Sequence, residues 1–168
     1  DYGPVGVSYD RADGEAPTLD NVLTESPSLV EHLMWQMKLS PFTEDEVRVG
    51  SQIIGNLDNN GYLCATLSEI AQLENVSEDY VEAVLKKVQE FDPSGVAARN
   101  LQECLLIQAR MLAKENPLLE VIIREHLKDL ELKNYIHIAR KLKVPLREVE
   151  TAVLLISKMD PKPGAVYS

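Results

Sequence analysis

Residues Ile70 to Pro93, IAQLENVSEDYVEAVLKKVQEFDP, align without a gap on Ile138 to Pro161, IARKLKVPLREVETAVLLISKMDP. At this offset of 68 an Ile-Ala pair, one Val, a Val-Glu pair and the closing Asp-Pro coincide. Each copy places apolar residues at helical spacing, breaks once at a polar turn, and stops at a proline that cannot continue a helix. The chain is thereby committed to building one unit twice: short helix, tight turn, longer helix, the shape of a helix-turn-helix. Two copies are too few for a solenoid, whose stacked units must bury one another.

The remaining sequence supplies further helices with their own start signals. Ser26 is expected to cap the first, with Pro27 at its first position and Leu29, Val30, Leu33, Met34 and Met37 as its buried stripe. Thr43-x-x-Glu46 and Thr66-x-x-Glu69 are capping boxes, and Ser77 caps a fourth helix. Val47, Gly50, Ile53, Ile54 and Leu57 share one face of the second helix, and Asp58-Asn59-Asn60-Gly61 is a turn. Pro117 opens a sixth helix, and the last two cover about 135–142 and 146–159. The fold class that follows is all-α, with two helical subdomains, each holding one helix-turn-helix-like unit, and no sheet. Residues 1–26 read as a disordered acidic linker, 27–115 as the first helical subdomain and 116–168 as a three-helix second one.

Between the copies lies FDPSGVAARNLQECLLIQ, Phe91 to Gln108. Asp92 can cap, Pro93 stops the preceding helix, and Gly95 lets the chain turn sharply. A fifth helix is then expected near 96–113, apolar in most directions, with a polar seam of Arg99, Glu103 and Arg110. Such a helix belongs at the centre of a bundle. Asp92, Pro93, Gly95, Arg99 and Glu103 are accordingly assigned to architecture. Ser94 has no base beside it in sequence and no G-x-S-x-G elbow around it.

Charge separates the partner classes. The chain carries 27 acidic and 17 basic side chains, a net charge of −10. Residues 1–26 contribute −5, residues 27–115 −7, and residues 116–168 +2. An acidic first part is repelled by phosphate backbones, while the mildly basic last third can lie near nucleic acid. At the start of the longer helix the first copy offers Glu78, Asp79 and Glu82, and the second offers Arg147 beside Glu148 and Glu150, which opposes base reading. A three-helix packing unit is the favoured reading of both. The copies also differ where Lys86 and Lys87 correspond to Leu154 and Leu155, an apolar excess that either packs on the first subdomain, the preferred reading, or awaits a partner. Leu146, Val149, Val153 and Ile156 already supply the core stripe of that last helix.

Catalytic and metal patterns are weak. Cys64 and Cys104 make no metal spacing and read as buried free thiols in a reducing cytoplasm. His32, His126 and His137 are isolated and read as surface or helix-end residues. The Asp58 turn places glycine fourth, where a calcium loop needs it sixth. No cofactor or metal is expected, and no apolar run approaches a membrane span. Trp35 stands off the apolar stripe of its helix, which suits a partner anchor as well as a second core contact.

The strings SLVEHLMWQMKLSPF, IIGNLDNNGYL, VLKKVQEFDPSGVAARNLQECLLIQ and LISKMDPKPG resemble the core-binding region of the bacterial sigma-54 factor family, from Ser28 to Gly164. The resemblance implies a cytoplasmic, non-enzymatic transcription initiation factor that binds core RNA polymerase. It further implies −24/−12 promoters and an ATP-driven activator, both served by family regions that this sequence does not contain. A monomeric fragment that tethers polymerase is the expectation. Its contact surface is placed at Trp35, Glu78, Asp79, Glu82, Lys86 and Lys87. A stand-alone helix-turn-helix DNA-binding regulator and a small helical hydrolase are the competing readings.

Overall fold

Polar side chains that accept from the free N–H groups of a first turn decide where the helices of this chain begin. The computed structural model describes residues 26–113 and 116–167. Among them run α1 (Leu29–Leu39), α2 (Glu44–Gly55), α3 (Leu67–Glu74), α4 (Glu78–Val88), α5 (Leu101–Leu112), α6 (Pro117–Glu125), α7 (Leu127–Glu131), α8 (Tyr135–Leu142), α9 (Leu146–Ser157) and a 3-10 turn, Ala165–Tyr167. No strand occurs among the described residues; Leu57 and Leu63 share one isolated bridge. The protein is all-helical, as its pattern requires. The acidic stretch before Ser26, and Lys114 and Glu115 at the expected subdomain boundary, lie outside the described residues.

Thr43 and Thr66 each complete a capping box with Glu46 and Glu69, Ser77 accepts from Tyr80, and Pro117 is the first residue of α6. The start of α1 differs from expectation. Ser28, not Ser26, is the cap, because Glu31 lies three residues on and closes the box. The short α7 was not foreseen, since five residues are too few to show a period.

The sequence echo is also a backbone echo. α3 and α8 end on left-handed residues, Asn75 at φ 57 and Lys143 at φ 59. In each copy the next N–H reaches back to the same carbonyl, Val76 to Ala71 and Val144 to Ala139, both at 3.0 Å.

Two apolar clusters result. The first gathers Leu33, Met37, Val49, Ile53, Ile54, Ile70, Val81 and Leu85 from α1 to α4. The second gathers Leu119, Ile122, Ile123, Ile138 and Val149 from α6, α8 and α9, with Leu105 and Ala109 from α5. Val30 and Val47 turn out to solvent, and Val49 takes the core place on α2. Leu154 is 64% exposed and Leu155 packs on the second cluster, so the expected packing of this pair on the first subdomain does not occur. The small Ala152 completes the α9 stripe, and Leu146 lies outside it. Cys64 is exposed, contrary to expectation, and Cys104 is buried.

The largest correction concerns Phe91 to Asn100. The fifth helix begins at Leu101 and is capped by Asn100, whose Oδ1 accepts from the Glu103 N–H at 2.8 Å. Ala97 has φ 66 and is fully buried, a conformation that excludes a helix there. Distant partners hold it. Its N–H donates to Gly61 at 2.8 Å, its carbonyl accepts from Gln89 Nε2 at 3.0 Å, and the Ala98 carbonyl accepts from the Leu63 N–H. Gly95 sits at φ 93, and a Cβ there would meet Gln108 Nε2 at 2.6 Å. Nor is α5 buried all round: Cys104, Leu105, Gln108 and Ala109 face inward, while Leu101, Met111 and Leu112 face solvent.

Each closing Asp-Pro is gripped by a glutamine amide. Gln36 Nε2 donates to the Asp92 carbonyl at 2.6 Å, and Gln36 Oε1 accepts from the Asp92 N–H at 2.9 Å. Gln108 repeats this on Asp160, with both bonds at 2.7 Å. The segment beyond Asp160 then returns to the first cluster. Tyr62 Oη donates to the Pro161 carbonyl at 2.6 Å, Gly164 N–H donates to Asn60 at 2.9 Å, and Tyr167 stacks on His32 at 5.1 Å. Replacing Gln108 by alanine removes two hydrogen bonds to Asp160 and one to Cys104 Sγ, and leaves a hole beside Cys104. A loss of about 2 kcal/mol is expected in urea unfolding. Gln108→Glu should be no better, because its carboxylate faces the Asp160 carbonyl that Nε2 serves.

Candidate interaction site

The six residues assigned to partner contact fall on two elements. Trp35 lies on α1, 60% exposed, and its side chain has no hydrogen-bond or ring partner among the described residues. Glu78 and Asp79 open α4 and point to solvent, where acidic side chains also suit the positive end of the helix. The other three are engaged within the molecule. Glu82 receives Arg99 Nη1 at 3.1 Å and Lys86 at 3.4 Å. Lys87 pairs with Glu46 of α2 and lies 5.5 Å from the centre of the Phe42 ring. Its ammonium holds the Glu46 carboxyl below the usual range.

The residues assigned to architecture surround Arg99. Its guanidinium bonds Glu103 Oε2 at 2.7 Å as well as Glu82, and its N–H donates to Glu103 Oε1 at 2.7 Å. Glu103 and then Glu82 raise the Arg99 pKa, so the cation is permanent. Arg99 holds Glu82 below the ordinary carboxylate range. For Glu103, burial pushes the pKa up, but the bonds from Arg99 outweigh it and the net shift is downward. Arg99 therefore ties α4 to the first turn of α5. Asp92 does not cap α5: its backbone belongs to Gln36, and its carboxylate lies 3.1 Å from His32 Nε2. The Asp92–Pro93 peptide is cis.

Beside this junction runs an open groove of about 610 Å³, lined by Lys86 of α4, its C-cap Gln89, Phe91, Ser94, and Ile107 and Met111 of α5. Its walls are mainly apolar, and Met111 is 75% exposed on its rim. Ser94 Oγ is buried there and is the one such side-chain oxygen or nitrogen without a hydrogen-bond partner among the described residues. The groove has the apolar body and polar edge that a partner's side chains fit.

Chemistry finds little purchase elsewhere. Burial pushes the Cys104 thiol up, away from a reactive thiolate. His126 is only 6% exposed, more buried than a helix-end histidine is expected to be, and pairs with Asp129 at 3.0 Å. Among the described residues no group of three or more His, Cys, Asp or Glu could hold a metal ion. No helix among them is long and apolar enough to cross a membrane.

Comparison with known proteins decides the family. The model described as sigma-54 factor, core binding domain, matches residues 18–168. The chain belongs to the sigma-54 factor family. It is 39% identical over 167 residues to the RNA polymerase sigma-54 factor of Salmonella typhimurium, covering 96% of this chain and 35% of that protein. The sigma-54 factor of Escherichia coli is 38% identical over 167 residues, with the same coverage. That of Acidithiobacillus ferridurans is 37% identical over 168 residues, covering 98% of this chain. The chain thus spans about 35% of the length of these relatives.

Three glutamines went unnoticed in the sequence: Gln36, Gln89 and Gln108. A signal for two of them existed, because each stands one turn from apolar core positions and precedes a repeated Asp-Pro by a similar interval. The apolar pattern of α5 reads Ile107 and Met111 as buried, whereas they form groove walls.

The Arg99 cluster sets a pH dependence. Both glutamates have folded pKa values below the unfolded value of about 4.3, so their stabilisation is complete above that pH and fades as pH falls through the lower folded values. Glu103→Gln should lie about 1 kcal/mol below wild type in urea unfolding at pH 7, with the gap closing below about pH 4.

Proposed function

We propose that this chain is the part of a sigma-54 factor that binds core RNA polymerase, acting as a rigid helical adaptor rather than a catalyst. The observation that carries the reading is the core-binding-domain match across residues 18–168. The surface supports it: exposed Met111 rims an open groove at the end of α4, whose start is acidic, while Arg99 is paired internally with Glu82 and Glu103.

In this reading the two helical units, residues 27–115 and 116–168, share α5, whose Leu105 and Ala109 face the second cluster. Trp35 supplies an apolar anchor, and the α4 start, Glu78 and Asp79, offers charge to basic polymerase surface. Lys86 stands at the groove, where Met111 extends the contact. Glu82 and Lys87 contribute through their exposed edges while serving Arg99 and Glu46. Promoter reading and the response to an ATP-driven activator are assigned to parts of such a factor beyond this chain. The setting is the bacterial cytoplasm, and the chain acts as a monomer.

Co-purification with core RNA polymerase at low salt tests the proposal. Wild type should be retained. Trp35→Ala should weaken retention at least tenfold, as loss of an aromatic anchor does. Reversal of Glu78 and Asp79 to lysine should slow association and flatten its salt dependence. Glu82 is left intact in that variant because it holds Arg99. A wild type that stays unbound would refute the reading.

A further inference from the structure

The cations of this molecule divide into two populations. Arg48, Lys86, Lys87, Arg99, Arg110 and Arg124 each lie on a carboxylate. The other nine described Lys and Arg side chains are exposed and have no ion-pair partner among the described residues; five of them, Lys133, Arg140, Lys141, Lys143 and Arg147, fall within residues 133–147. Four of these five surround the α8–α9 turn, and Lys133 lies just before α8. Arg140 and Lys141 are in the last turn of α8, Lys143 is the left-handed residue after it, and Arg147 is in the first turn of α9. His137 and Lys141 lie one turn apart on the same face of α8.

The fold does not require this charge, and the α3–α4 unit is the internal control. It has the same left-handed cap and the same 3.0 Å turn bond. Yet the matching residues are Glu69 for His137, Gln72 for Arg140, Leu73 for Lys141, Asn75 for Lys143 and Asp79 for Arg147. α3 has no basic residue in its last turn. Arg147 moreover sits at the positive end of α9, where the helix dipole disfavours it and where α4 carries Asp79. One backbone unit is therefore made twice with opposite surface charge.

We infer that the cationic turn between α8 and α9, carrying Arg140, Lys141, Lys143 and Arg147, contacts the phosphate backbone of duplex DNA. Unpaired, exposed cations spread over two helix ends suit a row of phosphates, and need no base reading. Glu148 in the first turn of α9 and Glu150 just beyond it, both exposed, disfavour insertion into a groove and leave a backbone-only contact. Only the choice of DNA as the polyanion rests on the proposed function; the free cationic face stands without it. A chain of net charge −10 binds weakly by itself, so the contact serves to position DNA held by a larger assembly.

The test uses the whole chain and a fluorescently labelled 20-base-pair duplex, titrated from about 20 to 200 mM salt. Wild type should bind at the lowest salt with a logarithmic salt slope of about −3 to −4, nearly one per phosphate neutralised. Changing Arg140, Lys141, Lys143 and Arg147 together to glutamine should weaken binding at least tenfold and bring the slope near zero. A control changing Lys38, Lys128, Lys158 and Lys162 to glutamine removes the same charge elsewhere and should bind within about threefold of wild type. Thermal unfolding should be unchanged in both, since every substituted side chain is exposed. No binding by wild type, equal binding by the first variant, or an equal loss in the control would each overturn the inference. The first variant should still co-purify with core RNA polymerase. If it loses polymerase without any DNA binding by wild type, the face docks on protein and the DNA assignment is wrong.

Discussion

A primary amide that reads both backbone groups of one residue is the interaction on which this architecture turns. Gln108 does so to Asp160, from a position only 8% exposed. Water cannot easily replace these bonds, so the chain after α9 has one favourable course. Gln36 makes the same grip on Asp92 at the end of the other copy. Through these two grips the end of each helical unit is fixed to a helix outside it: α4 to α1, and α9 to α5. The two apolar clusters supply the bulk of the burial, but non-directional burial does not specify where a loop must run. The amides do.

From that constraint the surface follows. With Asp92 held by Gln36, the chain must rise through Gly95 and the left-handed Ala97 before α5 can begin, and the groove opens between α4 and α5. Arg99 closes the far side by bonding Glu82 and Glu103 across the same gap. The polar junction is thereby spent on internal bonds. What remains free outside is apolar at Trp35 and Met111, acidic at the start of α4 and basic around the α8–α9 turn. Three chemically distinct faces on one stiff body suit a protein whose work is placement.

Much of this was readable from the chain, for local reasons. Capping boxes at Thr43 and Thr66, the Ser77 cap and Pro117 are decided within four residues, and each lies where its motif predicts. The 68-residue echo foretold a repeated unit because the turn depends on its own few residues. Misreadings came where distant partners decide. Asp92 looked like a cap because nothing nearby shows that Gln36 and His32, 56 and 60 residues earlier, take it. Ala97 looked helical because alanine favours helix, yet Gly61 and Gln89 hold it left-handed. Apolarity alone placed α5 at the centre of a bundle, whereas Met111 and Leu112 face solvent. The surface residues are the hardest to read, since exposure depends on how two clusters share a helix.

The stacking of Tyr167 on His32 places the last described turn against the first helix, beside the Gly164 bond to Asn60. Tension applied between residues 26 and 167 would therefore load the first turn of α1, this ring pair and a few loop hydrogen bonds before the buried clusters felt strain. Those contacts would open one after another, like a zip, while the helical body behind them stayed intact. The seam at the two ends is the mechanical fuse of the molecule.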